Sequence, residues 1–183
     1  MYFCALFEAK VKDRDQYNIT FSGLKPGKHA YDFNISASFF EDFERSEIQG
    51  GRVAVHVEME KDERMMVFLF SILGKVIVPC DRCNDSVELE VKGNERLVVK
   101  LGDHHEEVSE EVQIIRESDN KFDLQPFLYE YIHLLIPFRR IHPDDELGKS
   151  TCNPDVLKKL KELSEQHTPD PRWEALNKLK DKS

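Results

Sequence analysis

The sequence predicts an α+β fold: a mainly antiparallel β-sheet with one packed amphipathic helix and a helical C-terminal tail. Three observations predict it. Apolar and polar residues alternate at Val53, Val55, Val57 and Met59 and again at Val87, Leu89 and Val91, the period of strands with one wet face. One stretch, from Asp123 to Pro137, switches to helical spacing. The chain of 183 residues is 40% hydrophobic and 33% charged, enough apolar material for a core and too balanced for a disordered chain.

The elements follow in order. Leu24-Lys25-Pro26-Gly27-Lys28 reads as a loop, and Tyr31, Phe33 and Ile35 as a short strand. Ser38 stands three residues before Glu41, a capping-box spacing, and predicts a short helix carrying Phe39, Phe40 and Phe43 that ends at Gly50-Gly51. Polar residues 61–64 separate the strand at Val53 from Met65–Leu73, which is apolar at nearly every position and predicts a strand buried on both faces. Gly74 to Pro79 extends or bends that strand. After Cys83 come a strand through Val87 and Val91 and a further one through Leu97, Val99 and Leu101. The acidic stretch from Asp103 reads as a loop or an extended edge, with Val112 and Ile114 in a last short strand.

Asp123 is the expected N-cap of the packed helix, whose stripe is Leu124, Phe127, Leu128, Tyr131 and Leu135. Pro137 stops it. Asn153-Pro154 opens a helix with Val156, Leu157, Leu160 and Leu163, and Asp170-Pro171 opens another with Trp173, Leu176 and Leu179. The expected organisation is a β-rich core over residues 1–143, holding the cysteine turn at 80–83 and the helix at 123–136, followed by a helical tail over 144–183.

Composition excludes some function classes. No apolar run reaches the roughly 20 residues of a membrane-spanning helix, and the start lacks a cationic signal region, so the expected location is cytoplasmic, away from membranes. The formal charge of -9 is the wrong sign for gripping phosphates over a broad face. Residues 103–123 concentrate that charge, with eight acids against two bases. No phosphate loop, nucleophile elbow or His-Glu-x-x-His pattern is present, and no enzyme is expected. His104-His105 with Glu106-Glu107 reads as a solvated loop.

The cysteines are more informative. Cys80 and Cys83 form a Cys-x-x-Cys pair between two strands. A redox dithiol sits at a helix N-terminus, where the dipole lowers a thiol pKa; here a strand follows. A zinc knuckle needs two further ligands, for which Cys152 is the first candidate and His142, in the irregular segment after Pro137, the next. Cysteines that merely fill space as small apolar residues are the competing reading, and Cys4, beside Phe3 and Leu6, is expected in the core. Lys75, Arg82, Arg139, Arg140 and Arg172 lie nearest these segments and are candidate phosphate contacts, against which stands ordinary pairing with nearby acids. Phe127, Tyr131, Phe138 and Trp173 read as packing residues rather than a base-stacking platform.

In order, Gly74-Lys75-Val76, Cys80-Asp81-Arg82-Cys83, Phe122-Asp123-Leu124 opening a helix that stops at Pro137, His142, Cys152 and Asp170-Pro171-Arg172-Trp173 resemble the YceD family of large ribosomal RNA subunit accumulation proteins. The resemblance runs from Gly74 to Leu179. It implies a bacterial, non-enzymatic ribosome-biogenesis factor, and it matches Cys80, Cys83, His142 and Cys152 to the family's paired cysteines and later His and Cys. Many relatives carry a second cysteine pair where this chain has only Cys152 followed by Asn153-Pro154, which leaves Cys-Cys-His-Cys as the zinc ligand set. The expected partner is a precursor of the large-subunit rRNA or an early assembly particle. The alternative is an acidic adaptor that holds a basic ribosomal protein through residues 103–123 without contacting RNA.

Overall fold

The computed structural model describes residues 14–165. Cys4, Arg172, Trp173 and the helix expected after Asp170 lie outside that range. A 3-10 turn at Arg14–Tyr17 leads into β1 (Asn18–Thr20), β2 (Gly27–Ile35), a one-turn helix α1 (Ala37–Phe40), β3 (Gly50–Lys61), β4 (Met65–Pro79) and β5 (Ser86–Gly102). Then come β6 (Glu106–Ser109), β7 (Val112–Arg116), β8 (Lys121–Asp123), α2 (Gln125–Leu134) and α3 (Pro154–Glu165).

Six strands form one sheet in the order β2-β3-β4-β5-β7-β6, and β1 and β8 form a separate two-stranded ladder. All neighbours are antiparallel except β5 and β7, which run parallel because β6 takes the outer edge and β7 is tucked between it and β5. The sheet has one buried face. Val53, Val55, Val57 and Met59 of β3, Met66, Phe68, Phe70 and Ile72 of β4, and Val91, Leu97 and Val99 of β5 are all buried on it.

That face is covered by α1, the β1/β8 ladder and α2, whose Leu128 and Ile132 are fully buried and whose Tyr131 ring meets Phe70 edge-on at 5.0 Å. Phe122 bridges Phe68 and Phe127 at 5.6 and 5.5 Å. The helix can approach β5 because position 93 is glycine; a Cβ there would collide with the Leu135 side chain. Gly74 is tighter, since a Cβ there would strike the backbone of Arg52 and Val53 on the neighbouring strand.

Four expectations are corrected. Strand β4 is buried on one face only: Leu69 is 47% and Leu73 62% exposed, so an almost unbroken apolar run here reflects an apolar outer face rather than a second covering layer. The two strands expected across 87–101 are one 17-residue strand, since Gly93 is a site of close helix approach and not a break. The N-cap of α1 is Ser36, not Ser38, with Gly50-Gly51 opening β3 instead of ending a helix. Asp123 ends β8, one residue before the Leu124 cap position, and serves α2 by accepting a hydrogen bond from the Gln125 amide at 2.9 Å. The acidic stretch does supply an exposed edge, β6, with Val112 and Ile114 in β7.

Candidate metal centre and its basic rim

The long hairpin β4–β5 ends in a tight turn. Pro79 closes β4, the Cys80 amide donates to Asp85 O at 2.9 Å, and the Asn84 amide donates back to Cys80 O at 2.9 Å. Asn84 takes the left-handed conformation (φ 62°) that lets the chain reverse, one of the few residues for which that is inexpensive. The turn brings the Cys80 and Cys83 side chains to one side, both buried.

The segment after α2 is laid against this turn by its own contacts. The Arg140 amide donates to Asp81 Oδ2 at 2.8 Å and the Asp81 amide to Arg140 O at 2.7 Å. Farther on, Thr151 Oγ1 donates to Pro143 O, and Asn153 Nδ2 to Asp85 Oδ2 at 3.2 Å. Asn153 also caps α3 through the Asp155 amide. These contacts place His142 and Cys152 over the cysteine turn, so residues 142–153 pack on the hairpin tip.

The four donor atoms of Cys80, Cys83, His142 and Cys152 lie within 4.8 Å of one another. Cys80 Sγ is 3.8 Å from Cys152 Sγ, and His142 Nδ1 is 3.5 Å from Cys83 Sγ and 3.7 Å from Cys152 Sγ. A tetrahedron with metal–sulfur bonds of about 2.3 Å and a metal–nitrogen bond of about 2.05 Å has edges of about 3.8 and 3.6 Å. These three separations fit it. His142 Nε2 lies 3.2 Å from Ser86 O, so the ring proton belongs on Nε2, where it donates to that carbonyl, and Nδ1 is left as the bare donor facing the thiols.

The electrostatics suit a cation. Burial pushes the Cys80 thiol up, but amides of Cys83, Arg82 and His142 donate toward its sulfur and pull it down to about 6. The Ser150 hydroxyl lowers Cys152, while at Cys83 the amides of Asn153 and Asp85 pull down but burial and the neighbouring sulfurs outweigh them and push it up. The hydrogen bond with Cys80 raises His142. Three sulfurs and an imidazole thus compete for protons in one small space, and the cluster could hold a metal ion. None of the three cysteines is in a disulfide.

The candidate basic residues fare differently. Arg140 is tied to Glu47 and, at 3.3 Å, to Asp81. Arg82 donates to Ser150 Oγ at 3.0 Å, which in turn accepts from the Cys152 amide, so it supports the centre. Lys75 pairs with Glu88 at 2.8 Å, well up the strand from the cysteines. Arg139 is exposed and makes no hydrogen bond or ion pair among the described residues. Its neighbour Phe138 is fully exposed, at 104%, and this corrects the expectation that it packs. Phe138 continues the stripe that ends at Leu135, but Pro137 breaks the helix and turns it outward. Ser150, Asp85 and Asn153 also support the centre; of these only Asn153, before a proline, carries a local signal in the sequence, and that signal is for a helix start. His104 and His105 make exposed pairs with Glu106 and Asp119, both at 3.1 Å.

Among the described residues no helix is long and apolar enough to cross a membrane. No curated protein and no solved structure matches the chain. One family model, described as large ribosomal RNA subunit accumulation protein YceD, matches residues 69–180. Since that span exceeds half of the 183 residues and takes in all four donors, β5, α2 and α3, the chain belongs to the YceD family, named for the accumulation of large-subunit ribosomal RNA.

Proposed function

We propose that the chain is a non-catalytic assembly factor that binds precursor large-subunit rRNA, or an early assembly particle, with a structural zinc ion held by Cys80, Cys83, His142 and Cys152. The observation that carries the RNA reading is Phe138 beside Arg139: a fully exposed aromatic ring next to a guanidinium with no partner among the described residues, on a loop hydrogen-bonded to the cysteine turn. Exposed rings and arginines are what single-stranded RNA stacks on and pairs with, and a rigid knuckle beneath holds them at fixed spacing. Zinc suits three sulfurs and one imidazole better than any hard cation. The four donors fill the coordination shell, so the ion's role is structural.

Arg82, Arg139 and Arg140 would meet phosphates at this rim, with Arg140 partly neutralised by its acids; Lys75, and Arg172 beyond the described residues, complete the proposed set. The test is a binding titration of single-stranded segments of the rRNA precursor. Phe138→Ala should weaken binding about tenfold to a hundredfold, as loss of one stacked base does, and Arg139→Ala should flatten the salt dependence by about one phosphate. Unchanged affinity in both variants would refute the site.

A second reading is supported by the β6–β7 hairpin, where Glu106, Glu107, Glu110 and Glu111 are all exposed: an adaptor that holds a basic ribosomal protein there without touching RNA. Replacing these four with Gln would abolish capture of such a protein and leave the Phe138 variant without effect.

A further inference from the structure

The face of the sheet turned away from the core is bare among the described residues, and its composition is unusual for a solvated surface. Along β4 it presents Met65, Val67, Leu69, Ser71 and Leu73 in a row, with Met65 40%, Leu69 47% and Leu73 62% exposed. On one flank, β3 places Glu60, Glu58, His56, Ala54 and Arg52 opposite Val67, Leu69, Ser71, Leu73 and Lys75. On the other, β5 places Val98, Arg96, Asn94, Lys92 and Glu90 opposite the same five residues. Arg52, Arg96 and Lys92 have no hydrogen-bond or ion-pair partner among the described residues.

We propose that this face binds a second copy of the same chain across a two-fold axis running along β4. Such an axis lays the apolar row on itself and exchanges the flanks, so each β3 residue faces the β5 residue of its own row on the partner. Row by row, Glu60 meets Val98, Glu58 meets Arg96, His56 meets Asn94, Ala54 meets Lys92 and Arg52 meets Glu90. None of these β3–β5 pairs sets like charges against each other, and two of them, each occurring twice by symmetry, set opposite charges together. Lys75 lies on the axis, but its Glu88 partner neutralises it. This self-complementarity is what an isologous interface requires.

Size agrees. Face-to-face sheets pack about 10 Å apart with strands within about 30° of alignment, a gap that Leu and Met side chains fill from both sides. The row from Met65 to Ile77 runs about 40 Å at 3.3 Å per residue, and the three strands that face counterparts, β3, β4 and β5, span about 15 Å, giving on the order of 600 Å² per copy, at the lower end of the range for a stable interface. RNA is a poor occupant, because Asp32, Glu58, Glu60, Glu88 and Glu90 share the surface with the bases. A basic or acidic protein would satisfy one flank and be repelled by the other.

The experiment is sedimentation equilibrium of the full chain at physiological salt. A dimer is expected, weakening as salt rises. Arg96→Glu and Glu58→Arg should each weaken dimerisation by about tenfold or more, and the double variant, with both charges exchanged, should recover most of the loss, because each pair is restored in reverse. Both positions are exposed, and unchanged circular dichroism would confirm folding. A monomer at concentrations of about 100 µM, or a double variant no better than the single ones, would overturn the proposal. So would a monomer whose RNA binding falls with Arg96→Glu, which would assign the face to nucleic acid.

Discussion

If the cysteine centre holds the proposed zinc, stripping it should lower the melting temperature by about 10 °C. The centre joins distant parts of the chain: Cys83 and His142 are 59 residues apart, and Cys80 and Cys152 are 72 apart. Closing a loop of that length removes roughly 4 kcal/mol of chain entropy from the unfolded state, and each kcal/mol moves the melting point of a protein this size by about 2–4 °C. The assay pairs elemental mass spectrometry with thermal melts, with and without chelator, on the native chain and on Cys80→Ser. About one zinc per chain, lost together with the stability in the variant, is expected. Protein purified without chelator that contains no metal, with a melt indifferent to chelator, would refute the reasoning. Acid acts in the same direction as chelator. The Cys80 thiol, lowered from 9.0 to about 6 in the folded chain, contributes stability that is complete above about pH 9 and lost as pH falls through 6, and the ligands release metal as they protonate.

Two further outcomes test the fold. Gly74→Ala should destabilise by roughly 1–3 kcal/mol or more by urea titration, because its Cβ meets backbone that cannot turn aside, whereas Gly93→Ala should cost less, since only the Leu135 side chain must move; equal costs would contradict this geometry. His56, hydrogen-bonded to Asp32 at 2.7 Å across β2 and β3, has its pKa raised by that bond, with the charges of Asp32 and Glu58 adding to it. A raised value means the pair stabilises most below 6.5 and loses that stability as pH rises through the folded value, so proton-detected titration should show His56 above its ordinary value and moved back by Asp32→Asn.

The strands and α2 were legible in the sequence because burial there follows simple periods. Val53 to Met59 alternate, and Leu124, Leu128 and Tyr131 share one helical stripe. Misreadings came where two physical causes produce the same letters. Met65–Leu73 is apolar at every position but Ser71, and a row of letters does not distinguish a second protein layer from an apolar outer surface. Gly93 could mark a break or a helix contact, and only the three-dimensional position of Leu135 decides. That Cys80, Cys83, His142 and Cys152 come together was anticipated partly from Cys-x-x-Cys spacing and partly from the family pattern, but the contacts that seat the cluster, Arg140 on Asp81 and Asn153 on Asp85, join segments dozens of residues apart and leave no local trace. Phe138 was misread because it keeps the helix stripe in sequence while Pro137 removes it from the helix in space.

The β4–β5 hairpin also sets an order of events as the chain is made. Its partners are close in sequence, so it can form as soon as residue 102 has emerged, and local pairing of this kind is fast. The cysteine turn at its tip is then complete in shape but holds only half of its donors until residues 142–152 follow. During that interval two thiols stand open to oxidants and to loosely bound metal. Docking of the segment after α2 ends the exposure, because it lays His142 and Cys152 over the turn.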